Sequence, residues 1–321
     1  MDRPFKWSTH SDVTLLSGPR YSGKAQRIIL FAIFQYPFIQ NAFIAGSIVA
    51  IVAAVLGYFL IVRGLSFAGH ALSSIGFAGA AGAVLLGVSP IYGLMVFTVA
   101  ASIAISILGR EVRERDVATG VIMTFALGLG ILFLSLYHGY AEQAYSILFG
   151  TIVGVSRDDV AFTLLLGLIL LILIAIIGRP LLFSSFDAEL AETRGVPVRA
   201  LGSIFLILVA LAISITTQVV GILLVFAPLI GPSATAIRLV HQPLRVILLA
   251  IILGLTYTWL GILLGGNSPW PVSFFITALS FGVYLPVRLL SKGVDSKRSA
   301  KEFEKLSVVD SHLAAKRDRH D

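Results

Sequence analysis

The chain has 321 residues, 57% of them hydrophobic and only 13% charged, where a soluble domain carries roughly 25% charge. With a mean hydropathy of +0.94, these values exclude an ordinary soluble domain and require a chain that meets lipid. The formal net charge is +7, but the basic residues fall in short loops and tails, as in the cytoplasmic loops of membrane proteins; a nucleic-acid binder needs a soluble basic face instead. There is no cysteine, which excludes disulfides and thiolate metal ligation.

Three regions follow in chain order. Residues 1–38 form a basic, amphipathic segment with no apolar stretch ahead of a small-residue cleavage site, so no signal peptide is expected. Residues 39–290 form the membrane domain, and residues 291–321 a charged tail, mixed in sign, expected in the cytoplasm. No Asp, Glu, Lys or Arg occurs in 28–62, 64–109, 200–237 or 246–287. About 20 apolar residues cross the hydrocarbon core, so the last three runs each hold two spans, split at Ser89-Pro90, Thr217-Gln218 and Asn267–Pro269. Further spans lie at 39–62, 117–137 and 160–178. The expected fold is an all-α polytopic membrane protein of about eight to nine transmembrane helices. The Arg-rich loop 109–116 reads as cytoplasmic, which places 185–199 and 238–245 on the same side. The basic residues ahead of Ile39 fit this orientation poorly.

Within the spans, His70 is the one ionisable group placed deep, and such a group is expensive to bury without a function or a partner. It sits among Gly69, Ser73, Ser74 and Gly76, small residues that let helices approach closely. In a helix, His70, Ser73, Ser74 and Phe77 share a face. Imidazole is a common ligand for zinc and related metals, while an imidazole bonded to a neighbouring carbonyl is the structural alternative. The spans hold no carboxylate for ion coupling and no nucleophile–base set. Proton- or sodium-driven carriers and intramembrane hydrolases therefore fall behind a carrier powered from outside the bilayer.

The stretch 185–199, SFDAELAETRGVPVR, is a charged cassette between two apolar spans. Phe186 and Leu190 make an apolar knob, Asp187 suits an N-cap, and Gly195 with Pro197 ends the turn. It reads as a lever gripped by a soluble partner. Further on, Pro228 and Pro232 in VVGILLVFAPLIGPSATA each remove a backbone donor and predict a kinked, pathway-lining or gating helix.

Taken in order, RGLSFAGHALSSIGFAG, RERDVATGVIMTFALGLGILFLS, AYSILFGTIVGVSRDD, SFDAELAETRGVPV and VVGILLVFAPLIGPSATA resemble the zinc/manganese/iron-type ABC transporter permeases. The resemblance runs from about Ile39 to Leu290. It implies a type II ABC importer-like permease of the bacterial inner membrane that forms a homodimer and docks cytoplasmic ABC ATPase subunits. Such a permease receives a divalent metal from an extracytoplasmic binding protein. ATP would bind on the partner subunit, and the permease itself would carry no resident cofactor. The lever would be the coupling helix, with Phe186, Asp187, Glu189 and Gly195 as contacts or shape-setters. The resemblance also places a metal transit site at His70 and Ser74, where members of the family often carry Asp and His. Exchanging carboxylate for imidazole costs manganese, which prefers oxygen ligands, more than zinc, so zinc is expected slightly ahead of manganese or iron. A chelated metal or other cargo is the alternative for the same fold, and a stand-alone secondary carrier the alternative outside it.

Overall fold

The computed structural model describes residues 37–109, 112–137, 155–222 and 224–290. The N-terminal segment 1–38, apart from its last two residues, lies outside the described residues. So do the tail 291–321 and most of the AYSILFGTIVGVSRDD stretch.

Every described element is a helix, as lipid demands of an apolar chain that must satisfy its backbone internally. In chain order these are α1 (Pro37–Val62), α2 (Ser66–Leu85), α3 (Pro90–Leu108), α4 (Val112–Leu136), α5 (Arg157–Phe186), α6 (Ala188–Thr193), α7 (Val198–Val220), α8 (Phe226–Leu239) and α9 (Pro243–Gly266). The last is α10 (Val272–Leu290). Proline opens α3 and α9 at positions where its missing N–H costs nothing. A capping box opens α5: Ser156 Oγ accepts from the Asp159 amide at 3.1 Å, and Asp159 Oδ2 accepts from the Ser156 amide at 3.0 Å.

Eight of these helices are long and apolar enough to cross a membrane. The expected ninth span is different. α7 runs on past Thr217 to Val220, stops at Gly221 (φ +85°), and the chain turns before the 14-residue α8 begins. At 1.5 Å per residue α8 is ~21 Å long, short of the ~30 Å hydrocarbon core. The 200–237 run is therefore one full span followed by a short helix reached through non-helical backbone. α5 also departs from expectation, continuing through Pro180 to Phe186 rather than ending near Gly178.

The helices form two groups. α1 packs against α5, α7, α8 and α9, while α2 packs against α3 and α4. α7 joins the groups by contacting α1, α2, α3 and α5, and its Phe205, Leu206, Ile213 and Ile215 are fully buried. Across this seam Thr98 Oγ1 lies 3.2 Å from Ser214 Oγ. α2 and α3 touch backbone to backbone, since a Cβ on Gly79 would meet the Gly93 carbonyl oxygen. α5, by contrast, leaves Leu164, Leu165, Leu168, Ile172 and Ile176 exposed, an apolar stripe whose natural solvent is lipid.

Candidate functional site

α2 carries His70 and Ser74 one turn apart, and the structure separates the small polar residues of this helix by face. His70 is exposed on the surface of the single chain, and its ring meets Phe226 edge-on with centroids 5.3 Å apart. Ser74 Oγ donates to the His70 carbonyl at 3.2 Å, which keeps the hydroxyl on the His70 side of the helix. Ser73 points the other way. It is only 3% exposed, and its hydroxyl donates to the Ile222 carbonyl at 2.8 Å. The expected four-residue face of His70, Ser73, Ser74 and Phe77 is thus divided, with Ser73 and Phe77 turned toward Ile222.

That bond explains how the break after α7 is tolerated. A carbonyl freed at membrane depth needs a donor, and Ser73 supplies it. The Leu224 carbonyl in turn accepts from the Ala227 amide at 3.0 Å. The break delivers Phe226 to the His70 ring, so the α7–α8 turn positions the neighbour of the one intramembrane imidazole among the described residues. Sequence reading missed this pairing because Ile222 and Phe226 look like ordinary span residues.

Pro228 and Pro232 are both buried. Pro228 lies in the first turn of α8, where a proline needs no donor, so it does not kink the helix as expected; only Pro232 lies inside it. Beside Pro232, Ser233 Oγ donates to the Ala54 carbonyl at 2.9 Å, tying α8 to α1.

The lever forms as a distinct element. α5 ends at Phe186, and Asp187 takes extended geometry (φ −148°, ψ 99°). Its Oδ1 accepts from the Leu190 amide at 2.9 Å, capping α6. Phe186 therefore belongs to α5 rather than to the lever helix, because the chain bends at Asp187. Phe186 and Leu190 are nonetheless both open, at 74% and 45% exposure. Glu189 lies in the first turn of α6, where a negative charge suits the helix dipole. At the far end Gly195 has φ +78°, a left-handed conformation that favours glycine, and the Val196 amide returns to the Ala191 carbonyl at 3.0 Å.

One contact was not legible in the sequence, that made by Arg63, the single charge between the charge-free runs 28–62 and 64–109. Its guanidinium reaches the end of α5, directly before the lever. This places the α1–α2 turn at the same end of the bundle as α6. At the opposite end, Asn41 Nδ2 donates to the Val155 carbonyl at 3.2 Å, linking the starts of α1 and α5.

Among the described residues no group of three His, Cys, Asp or Glu side chains comes together as a metal cage. With eight apolar spans among the described residues and a short capped helix set between two of them, the chain is built as a multi-pass membrane protein, and its relatives are transport permeases. Its membership is specific: the chain belongs to the ABC 3 transport family, which it matches over residues 35–291. It is 34% identical over 231 residues to the manganese transport system membrane protein MntC of Halalkalibacterium halodurans, covering 72% of this chain and 79% of that one. The manganese import system permease protein ScaB of Streptococcus gordonii is 33% identical over 81% of this chain and 96% of its own length. The solved structure of PsaBC from Streptococcus pneumoniae in complex with Fab superposes with a TM-score of 0.73 at 31% identity, covering 82% of this chain and 95% of that one. An ABC transporter solved in an inward-facing conformation, at 17% identity and a TM-score of 0.60, shares the fold over 86% of this chain and 90% of its own. The protein is a multi-pass ABC-transporter permease of the bacterial cytoplasmic membrane.

Proposed function

We propose that this permease imports a divalent transition metal, driven by cytoplasmic ABC ATPase subunits that grip α6 and supplied by an extracytoplasmic metal-binding protein. The observation that carries this reading is the capped, exposed lever set at the same end of the bundle as the turn leading into the His70 helix. ATP would be hydrolysed on the partner subunit, and the permease would change only the side from which the site is reached.

One chain offers a single imidazole and one hydroxyl at His70 and Ser74, a sparse set for a transition-metal ion. Because His70 is exposed on the isolated chain, a second copy facing it across a two-fold axis would supply a second imidazole, and we take the working permease to be a homodimer. Two of the relatives named above, MntC and ScaB, are manganese systems, which puts manganese first among cargoes to test. The imidazole chemistry favours zinc, so discrimination against zinc should be weaker here than at a carboxylate site.

The decisive measurement is isotope uptake of manganese, zinc and iron by cells lacking the chain, then restored with it. Loss of one metal on deletion and its recovery on restoration is the expected result. Unchanged uptake of all three, with other importers also removed, would overturn the free-metal reading and favour a chelated cargo.

A further inference from the structure

Arg63 occupies an unusual position for a single buried-edge cation. It caps the C-terminus of α1, and the next residue, Gly64, turns with φ +66°. The Leu65 amide bonds the Leu60 carbonyl at 2.8 Å and the Gly64 amide bonds the Ile61 carbonyl at 3.1 Å. This paired closure fixes the turn rigidly, and α2 begins at the next residue, Ser66. The Arg63 backbone is therefore joined to the His70 helix by a short, internally bonded turn.

Its side chain reaches the other way. Nη1 donates to the Leu181 carbonyl at 3.3 Å, to Ser184 Oγ at 3.0 Å and to Ser185 Oγ at 3.3 Å, all in the last turns of α5 before the lever. A Cβ placed on Gly202 would lie 3.5 Å from Arg63 Nη2, so the first turns of α7, just after the lever, flank the same guanidinium. Arg63 thus hydrogen-bonds the helix entering α6 and lies beside the helix leaving it.

Resting on the metal-importer reading, we infer that Arg63 is the positioning residue that transmits movement of the α6 lever to α2 and its His70 face. The link runs from the α5 and α7 ends, through the guanidinium, into the Gly64 turn and the start of α2. Burial, and after it the charge of Arg115 at the start of α4, push the Arg63 guanidinium down from the ordinary arginine range. Among the described residues Nε of Arg115, like Nε of Arg63 itself, is buried without a hydrogen-bond partner. The Arg63 cation is therefore held against desolvation and a like charge by its α5 acceptors. If α5 withdraws with the lever, those acceptors leave while the repulsion stays, and the α1–α2 turn has reason to move.

The test uses the complete transporter (permease, ATPase subunits and binding protein) in lipid, with two readouts. Hydrogen exchange in the α2 segment 66–71 is compared between nucleotide-free and nucleotide-trapped states, and metal uptake per ATP hydrolysed is measured alongside. In wild type the exchange is expected to respond to nucleotide. In Arg63→Ala that response should be lost and uptake per ATP should fall by about fivefold or more, the scale of coupling carried by such a network, while the ATPase still co-purifies. The Ser184→Ala/Ser185→Ala double variant keeps the charge and should show the same change to a smaller degree; it answers the question if Arg63→Ala fails to assemble. An exchange response unchanged from wild type in the variants that assemble would overturn the link. If exchange responds and depends on Arg63 while no metal is carried, the link stands and the metal reading fails.

Discussion

His70 is where chemistry and cargo meet, and its neighbours set how it can be used. Phe226 meets the ring edge-on, and Ser74, which donates its proton to the His70 carbonyl, keeps oxygen lone pairs as a weak second ligand beside the imidazole. If it contacts the ion, His70→Ala lowers uptake without loss of ATPase co-purification. The paired change His70→Asp, Ser74→His supplies a carboxylate and should raise manganese uptake relative to zinc. A ratio unchanged from wild type in competition uptake would remove the pair from the selectivity argument. Ser73 makes a different prediction. Ser73→Ala strips the Ile222 carbonyl of its donor, and interhelical bonds of this kind in membranes are worth about 0.6–1.7 kcal/mol. A drop in thermal stability of that order, measured on the purified permease, is expected.

At the scale of elements, the lever and the break after α7 carry opposite lessons about legibility. The lever was readable because its signals are local. Asp187 caps, Gly195 turns left-handed, and the charged residues stand out in an apolar chain; what was misplaced was Phe186, which an N-cap at Asp187 leaves outside the lever helix, at the end of α5. The α7–α8 break was not readable as such. Thr217-Gln218 looked like the interruption, yet helix persists to Val220, and the prolines counted as kinks include one seated harmlessly in a first turn. Hydropathy sees two apolar stretches, whereas the geometry depends on a tertiary donor, Ser73, more than a hundred residues away. For the lever, Asp187→Ala should cost about 0.5–2 kcal/mol of local helix stability, and Asp187→Arg should abolish uptake while leaving membrane insertion intact. Gly195→Val should act similarly through backbone strain, even though open space surrounds Gly195. Normal transport in both uptake variants would remove α6 from the coupling path.

For the whole molecule, the unresolved matter in the sequence was orientation, because the basic N-terminal residues disagreed with the loop charges. The tie between Arg63 and the end of α5 fixes the α1–α2 turn at the lever end, so α1 starts from the opposite end, where Asn41 meets Val155. These contacts agree with counting spans back from the loop 109–116, and the basic residues ahead of Pro37 lie outside the described residues. The same contacts bear on assembly. α2 presents Phe67, exposed at 41%, on the face of His70 and Ser74, because these positions follow the i, i+3, i+7 spacing of one helix stripe. In a two-fold dimer with that stripe near the axis, each residue lies opposite its own copy. The chain has no cysteine, so one introduced thiol reports on its own position alone. Phe67→Cys in membranes treated with a short thiol cross-linker should give a dimer band on a denaturing gel. Leu165→Cys, on the exposed apolar stripe of α5, should give little or none. Equal cross-linking at the two positions would mean random encounter in the bilayer, and a band from Leu165→Cys alone would move the dimer interface to α5 and leave His70 facing lipid, where a metal-transit role could not stand.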